Sequence, residues 1–373
     1  MRPKVLILTD WYVPGYKAGG PIQSIKNLVE HMSDVIDFSI VTGDRDLLDI
    51  KPYEVEMFDA FISHSNHRIC YTTKSNRQAI IKREILSSDY SQVYLNSMFS
   101  VDFSLRPLGE LLRKGGLNKV VLAPRGMLGA GAIAIKPIKK KLFLLAFKSL
   151  RIHTKIRIHS TDNSETIDIQ KILGPKAEIV EIFNLPAKLS PRQPVELTDI
   201  PKFIFASRVS PKKNLDFAIR MLAKLNMPCQ LEVYGAIDDH DYAERCKSIK
   251  RNLLKIEFHD PIKHETLMNE VAQCHFFILP TKNENFGHSI IEAMSLGVPV
   301  IISDQTPWTE IESSKAGRSL SLDSEDEWVN ALMGCMNMSN DEYREMCRKS
   351  VEYVQQKLSI NEICEQYLNL FRG

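Results

Sequence analysis

The sequence predicts an α/β fold of two Rossmann-like domains, on three observations. At about 150 residues per domain, its 373 residues make two cores. Short apolar strands alternate with helical patterns along the whole chain. The charge also divides: residues 1–198 carry 28 Lys and Arg against 20 Asp and Glu (+8), and the remainder carries 20 against 26 (−6). A basic module beside an acidic one implies different surface roles.

The first strand is expected over Val5 to Thr9 and runs into the loop Asp10 to Pro21, which contains Gly19 and Gly20. A helix from Pro21 to Met32 follows, with apolar residues at Ile22, Ile25, Leu28, Val29 and Met32 and proline at its start. Further strands are expected over Phe38 to Thr42, Arg68 to Thr72, Gln92 to Leu95, Val120 to Ala123 and Arg157 to Ser160, with a helix over Asn76 to Leu86. The first domain is placed at residues 1–188.

Leu185 to Pro201 holds four prolines and no periodicity, so a linker is placed at 189–201. The second domain, residues 202–355, begins with the strand Phe203 to Ser207 and the helix Leu215 to Leu225. Gln230 to Tyr234, Ile256 to His259, Phe276 to Leu279 and Val298 to Ser303 read as strands. Helices are expected over Tyr242 to Leu253, Asp326 to Met336 and Asp341 to Gln355. A last helix within 356–373 is expected to cross back onto the first domain.

Composition excludes several classes. The seven cysteines are scattered without a CxxC pair, as expected of reduced thiols and core filler. No signal peptide precedes the first strand, and no apolar run approaches the roughly 18 residues of a spanning helix. A cytoplasmic location, at the inner face of the plasma membrane, is the expectation. No nucleic-acid module is visible, and the acidic second half opposes such a partner.

The most informative stretch is Glu284-Asn-Phe-Gly-His-Ser-Ile-Ile-Glu292, which places two carboxylates eight residues apart around a glycine turn. Strand, glycine loop, helix and strand in that order form a ligand-binding edge of a parallel sheet. Just after the strand Phe203 to Ser207 come Arg208, Lys212 and Lys213. Cations at that edge suit a diphosphate: Arg208 can fork onto its oxygens, and Lys213 brings a mobile point charge. No Asp-x-Asp pair follows an apolar strand as in a metal-dependent site, so no metal and no cofactor are expected; Asp238-Asp239 and the Asp44/Asp46 pair read as turn residues.

These two stretches resemble the signature of retaining nucleotide-sugar glycosyltransferases of the GT4 type, whose two Rossmann-like domains face across a cleft (GT-B). The resemblance implies catalytic roles for Arg208, Lys213 and Glu284, with the two cations stabilising the departing nucleotide. It implies donor contacts from Gly19, Gly20, Ile262, Glu284, Phe286, Gly287, His288 and Ser289, and from Glu292 on the ribose hydroxyls. Two departures stand out. Ser207 replaces the family's usual glycine, and Gly235 is followed by Ala236 and Ile237 where the family often has Gly-x-Gly.

Pro124-Arg125-Gly126-Met127-Leu128, Thr306-Pro307-Trp308 and His159 to Glu165 are similar to motifs of a bacterial surface-polysaccharide subgroup. That likeness implies acceptor contacts from Arg125 and His159, although His159 also reads as a core histidine at a strand end. Residues 136–157 alternate lysines and arginines with Leu142 to Phe147, a plausible contact for anionic membrane or a core helix with a basic flank. The implied activity moves a hexosyl or N-acetylhexosaminyl unit from a nucleotide diphosphate sugar to a glycan, lipid-linked acceptor, in O-antigen, capsule or exopolysaccharide synthesis. Transfer to a small soluble acceptor such as a sugar phosphate, and non-catalytic nucleotide-sugar binding, stay open.

Overall fold

The computed structural model describes residues 2–372 except 65, 87, 88, 135 and 136. Contacts divide the chain into two units: Met1–Leu185 with Ile360–Gly373, and Pro186–Ser359.

The first unit holds strands β1 (Lys4–Leu8), β2 (Asp37–Gly43), β3 (Phe61–Ser63), β4 (His67–Thr72), β5 (Gln92–Leu95), β6 (Val120–Leu122), β7 (Arg157–Ser160) and β8 (Glu178–Glu181). Its helices are α1 (Gly20–Met32), α2 (Arg77–Leu86), α3 (Arg106–Lys114), α4 (Ala130–Ala134), α5 (Pro137–Ser149) and α6 (Asn163–Leu173). The strands form one sheet in the order β3-β4-β2-β1-β5-β6-β7-β8, parallel except for the β3–β4 hairpin. Helices cover such a parallel sheet, so its central strands are apolar throughout: Val5 to Leu8 of β1 are wholly buried.

The second unit holds β9 (Lys202–Ala206), β10 (Cys229–Tyr234), β11 (Leu254–His259), β12 (Phe276–Leu279), β13 (Val300–Ser303) and β14 (Gly317–Leu320). Between and after them lie α7 (Leu215–Ala223), α8 (His240–Ser248), α9 (His264–Val271), α10 (His288–Ser295), α11 (Glu325–Asn337) and α12 (Asn340–Lys357). The sheet is parallel, in the order β11-β10-β9-β12-β13-β14. Each unit is therefore Rossmann-like, as the alternating pattern predicts.

The final helix, α13 (Ile360–Arg372), packs on the first unit. Its stripe Ile363, Tyr367, Leu370 and Phe371 is buried, and Phe371 meets Phe38 and Tyr94 edge-on at 6.2 and 5.8 Å. Arg157 donates to the Leu370 carbonyl at 2.8 Å.

Several elements lie outside the sequence expectations. A π-turn over Val101–Leu105 leads into α3, where Pro107 and Gly109 read as breakers. Pro107 sits in the first turn, whose amide has no intrahelical partner to lose. α6, α9, β8 and β14 are short and weakly periodic. The strand expected from Val298 starts at Val300, because Pro299 cannot donate to the ladder. Six of the seven cysteines are buried and Cys364 is half-buried.

Candidate active site

In a doubly wound sheet, ligands settle at the carboxyl edge where the strand order reverses. In the second unit that point lies between β9 and β12, since β9 runs on to β10 and β12 to β13. The loop after β9 carries Arg208, Lys212 and Lys213, and the loop after β12 carries Glu284. The two loops are joined through their backbones, with the Lys282 amide donating to the Lys212 carbonyl at 2.8 Å. The Glu284 amide donates to the Gln305 carbonyl beyond β13 at 2.9 Å, so three strand ends knit into one edge.

The side chains follow the same geometry. Lys213 and Glu284 form a hydrogen-bonded ion pair, with side chains 12% and 13% exposed. Burial pushes the Glu284 carboxyl up, but the charge and hydrogen bond of Lys213, then the charge of Lys212, hold it below its ordinary value. Burial lowers Lys212, Glu284 raises it, and Lys213 and Arg208 lower it again. Arg208 is half-exposed and pairs with Asp238 at 2.7 Å, in the loop after β10.

Backbone geometry accounts for two glycines. Gly235 has φ 153, and a Cβ there would strike the Ser207 carbonyl. Gly235, the residue after β10, thus leaves room for the backbone at 207 whatever side chain stands there. Gly287 has φ 76 and caps α10, where a Cβ would come within 2.9 Å of Ile290 and 3.1 Å of Glu284. The cap falls on Gly287, so Ser289 lies inside the first turn and does not cap it. His288 opens the helix beside Phe286, ring centroids 4.7 Å apart.

Glu292, 4% exposed on α10, meets His264 Nε2 at 2.8 Å. That contact ties α10 to the start of α9, two residues past Ile262. The loop bearing Ile262 and the helix bearing Glu292 thus share one locus. Trp308 is a supporting residue that the sequence marks only by motif. Fully buried, it donates from Nε1 to the Phe286 carbonyl at 2.5 Å and fixes the turn between Glu284 and Gly287.

Gly19, Gly20, Arg125 and His159 lie in the first unit. The glycine loop is anchored from below: Asp46 accepts from the amides of Tyr16 at 2.6 Å and Lys17 at 2.9 Å. Asp44 pairs with Arg45 at 2.8 Å, so both aspartates hold loops in place. Arg125 reaches Asn96, Asn184 and Tyr94. His159 is wholly buried, with Tyr94 Oη at 2.7 Å from Nδ1 and the Ile182 carbonyl at 2.9 Å from Nε2.

On α5 the side chains of Ile138, Leu142 and Leu145 are 82%, 67% and 64% exposed, while Leu144 and Phe147 face the core. Lys136 lies outside the described residues. No helix among the described residues is long and apolar enough to cross a membrane. Elsewhere, one oxygen or nitrogen each from Glu232, Glu257 and His259 lie within 4.8 Å of one another, a spacing compatible with a metal ion. His259 is already paired with Glu232 at 2.5 Å and Lys255 with Glu257 at 2.5 Å.

The arrangement invites comparison with known proteins. Over 100% of this chain and 98% of its own, the crystallised sucrose-phosphate synthase of Thermosynechococcus elongatus superposes with a TM-score of 0.73 at 16% identity. HepE of Anabaena, solved with UDP and glucose, covers 99% of each chain with a TM-score of 0.71 at 15% identity. The chain has the GT-B glycosyltransferase fold. Residues 188–354, nearly all of the second unit, match the family described as Glycosyl transferases group 1. Among curated relatives, an uncharacterized glycosyltransferase of Methanocaldococcus jannaschii is 24% identical over 181 residues, 42% of this chain and 46% of the relative. A probable sucrose-phosphate synthase of Thermosipho melanesiensis is 28% identical over 177 residues, 45% and 40% respectively. The matched stretch spans less than half the length of either relative.

Proposed function

We propose that this GT-B chain is a retaining glycosyltransferase that takes its sugar from a nucleoside diphosphate sugar. The observation that carries the reading is the Lys213–Glu284 pair at the β9/β12 switch point. Cleaving the sugar–phosphate bond sends its electron pair to the diphosphate and leaves positive character on the sugar ring. Arg208 and Lys213 meet the first charge, and fixed cations there stabilise the transition state more than the ground state. Glu284 lies against Lys213, in position to accept hydrogen bonds from the sugar hydroxyls. Phe286, Gly287 and His288 form the turn at the start of α10, where amides favour an anion. Glu292 accepts from the ribose diol, and Ile262 lies against the base. The glycine loop meets the diphosphate through the Gly20 amide, while Gly19, whose own amide donates to the Tyr16 carbonyl at 3.1 Å, lets the backbone come close. The acceptor hydroxyl attacks from the face the diphosphate leaves, and its proton passes to the departing phosphate oxygen.

The likeness to sucrose-phosphate synthases supports a small soluble acceptor such as a sugar phosphate. The likeness to HepE, solved with UDP and glucose, supports a uridine nucleotide donor. A second reading, a lipid-linked glycan acceptor of a bacterial surface polysaccharide, is favoured by α5. There the exposed stripe Ile138, Leu142 and Leu145 is flanked by Lys139, Lys140 and Lys141, and Lys148, Arg151 and Lys155 follow. Apolar insertion with a basic flank suits an anionic bilayer at the cytoplasmic face.

The test is a donor screen on purified protein, reading released nucleoside diphosphate with sugar phosphates and with lipid-linked acceptors. Turnover of at least one donor is expected, with loss of at least about a hundredfold in an Arg208→Ala, Lys213→Ala double variant. Equal turnover in that variant would overturn the assignment of the leaving-group site.

A further inference from the structure

Arg125 stands just past β6, at the carboxyl edge of the first sheet, with φ 57. Three acceptors hold its guanidinium, two from β5 and its end and one from beyond β8. Nε donates to Asn96 Oδ1 at 2.7 Å, one terminal nitrogen to Asn184 Oδ1 at 2.5 Å, and the other to the Tyr94 hydroxyl at 2.9 Å. The Ile182 carbonyl can only accept, so His159 Nε2 carries the ring proton and Nδ1 accepts from Tyr94. The Tyr94 hydroxyl therefore donates to His159 and accepts from Arg125.

Every one of these partners is neutral. Burial, then the charge of Arg125, push the His159 ring down to about 3, so the ring adds no charge near neutral pH. Among the described residues no carboxylate lies within 4.0 Å of the guanidinium. Glu165 spends its oxygens on Gly126 N at 2.6 Å and on Thr161 N and Oγ1 at 2.9 Å. Three of the five guanidinium hydrogens are used, and two remain.

Asn96 links Arg125 to a second feature that attracts anions. Its Nδ2 donates to the Pro21 carbonyl at 3.1 Å, in the first turn of α1. That helix has 13 residues, no side-chain cap and no acid in its first turn. Pro21 has no amide hydrogen and the Ile22 and Gln23 amides donate to the Gly19 carbonyl, so this start contributes the positive end of the helix dipole rather than a row of open donors. A half-buried cation held rigidly by neutral groups, next to an uncapped helix start, lacks its counter-charge. Desolvating such a cation is costly until a ligand supplies an anion, and a fork fixed in advance binds one with little further ordering.

We propose that Arg125, held by Tyr94, Asn96 and Asn184, binds a phosphate group carried by the acceptor. This rests on the glycosyl-transfer reading and adds the chemical group by which the acceptor is recognised. The phosphate has two sources, a sugar phosphate in water or a lipid phosphate in a bilayer.

Full-length protein saturated with UDP is titrated with fructose 6-phosphate and with fructose, and separately with phosphatidylcholine vesicles with and without undecaprenyl phosphate. One phosphorylated probe is expected to bind wild type, and its unphosphorylated counterpart is not. Arg125→Gln is expected to weaken that binding at least about tenfold, as for a lost charged hydrogen bond, with UDP affinity unchanged. Arg125→Lys keeps the charge but loses the fork, and should fall between the two; it carries the test if the Gln variant does not fold. Equal phosphate binding by wild type and either folded variant would overturn the proposal, as would UDP binding by wild type without either phosphorylated probe. If wild type fails to bind UDP, the donor reading falls, while the same titrations without UDP still decide Arg125.

Discussion

Lys213 and Glu284, 71 residues apart in sequence, form one ion pair that bridges the ends of β9 and β12. Neither group has its full hydration, so each depends on the other. Removing one partner leaves a poorly solvated charge, at a cost toward the lower end of the about 3–5 kcal/mol known for broken buried pairs. Lys213→Met and Glu284→Gln should each destabilise the second unit, and the double variant should lose less than the sum of the two. Chemical denaturation of all four proteins measures the coupling, expected within about 0.5–3 kcal/mol. Strict additivity would show that the pair is not coupled. The sign with pH follows from the lowered Glu284 carboxyl. Its contribution is present above the ordinary value of 4.5 and is lost as pH falls below it.

Arg208 donates to Asp238 from one terminal nitrogen, so in the proposed site carboxylate and diphosphate share one guanidinium. The Asp238 carboxylate is thus a competitor for the same guanidinium. Asp238→Asn should tighten UDP binding a few-fold, and the gain should shrink in high salt, because this pair is partly exposed and screened. Titration of UDP at two ionic strengths measures it. Weaker binding in the Asn variant would mean that Asp238 orients Arg208 for the ligand.

Much of this locus was legible in the sequence because the chemistry is compressed into two short stretches, each following an unmistakable apolar strand. Phe203 to Ala206 and Phe276 to Leu279 are fully apolar, so the loops after them could be placed at a sheet edge. The pairing of Asp238 with Arg208 was not legible, since an aspartate in a turn gives no sign of its partner 30 residues away. Asp46 read as a turn residue for the same reason, yet it holds the amides of Tyr16 and Lys17. α3 was missed because proline and glycine mark loops unless the proline falls in a first turn, and only the preceding π-turn puts it there. Trp308 stood in the sequence as a motif without a mechanism. The structure supplies one, a buried indole donating to the Phe286 carbonyl.

Glu292 is kept in place by His264, and its carboxylate is assigned to the ribose diol. A carboxylate that accepts from two hydroxyls loses both bonds when they are removed, at about 1.5–3 kcal/mol for each charged hydrogen bond. Wild type should therefore bind UDP at least about tenfold tighter than its 2′,3′-dideoxy analogue. Glu292→Ala should bind the two equally. Competition titration against a fluorescent nucleotide reads both constants. A Glu292→Ala variant that keeps the full preference would remove the ribose from this residue.

His159 is a strongly displaced titrating group of the first unit that sits in a defined hydrogen-bond chain. Its ring ordinarily titrates at 6.5, and burial followed by the charge of Arg125 brings it to about 3. Between those values the unfolded chain binds a proton that the folded chain refuses, so stability rises with pH. The contribution is complete above pH 6.5 and falls away as pH drops toward 3. One proton corresponds to a slope of about 1.36 kcal/mol per pH unit. His159→Gln offers the same two hydrogen bonds, a carbonyl for Tyr94 and an amide N–H for Ile182, without a titrating group. Denaturation at pH 7 and pH 5 should show a shallower loss in the Gln variant than in wild type. An equal loss in both proteins would mean that the buried ring takes a proton before the unit unfolds. The neutral surroundings of Arg125 would then hold only at higher pH, and in acid the imidazolium would add a second cation to the attraction for phosphate.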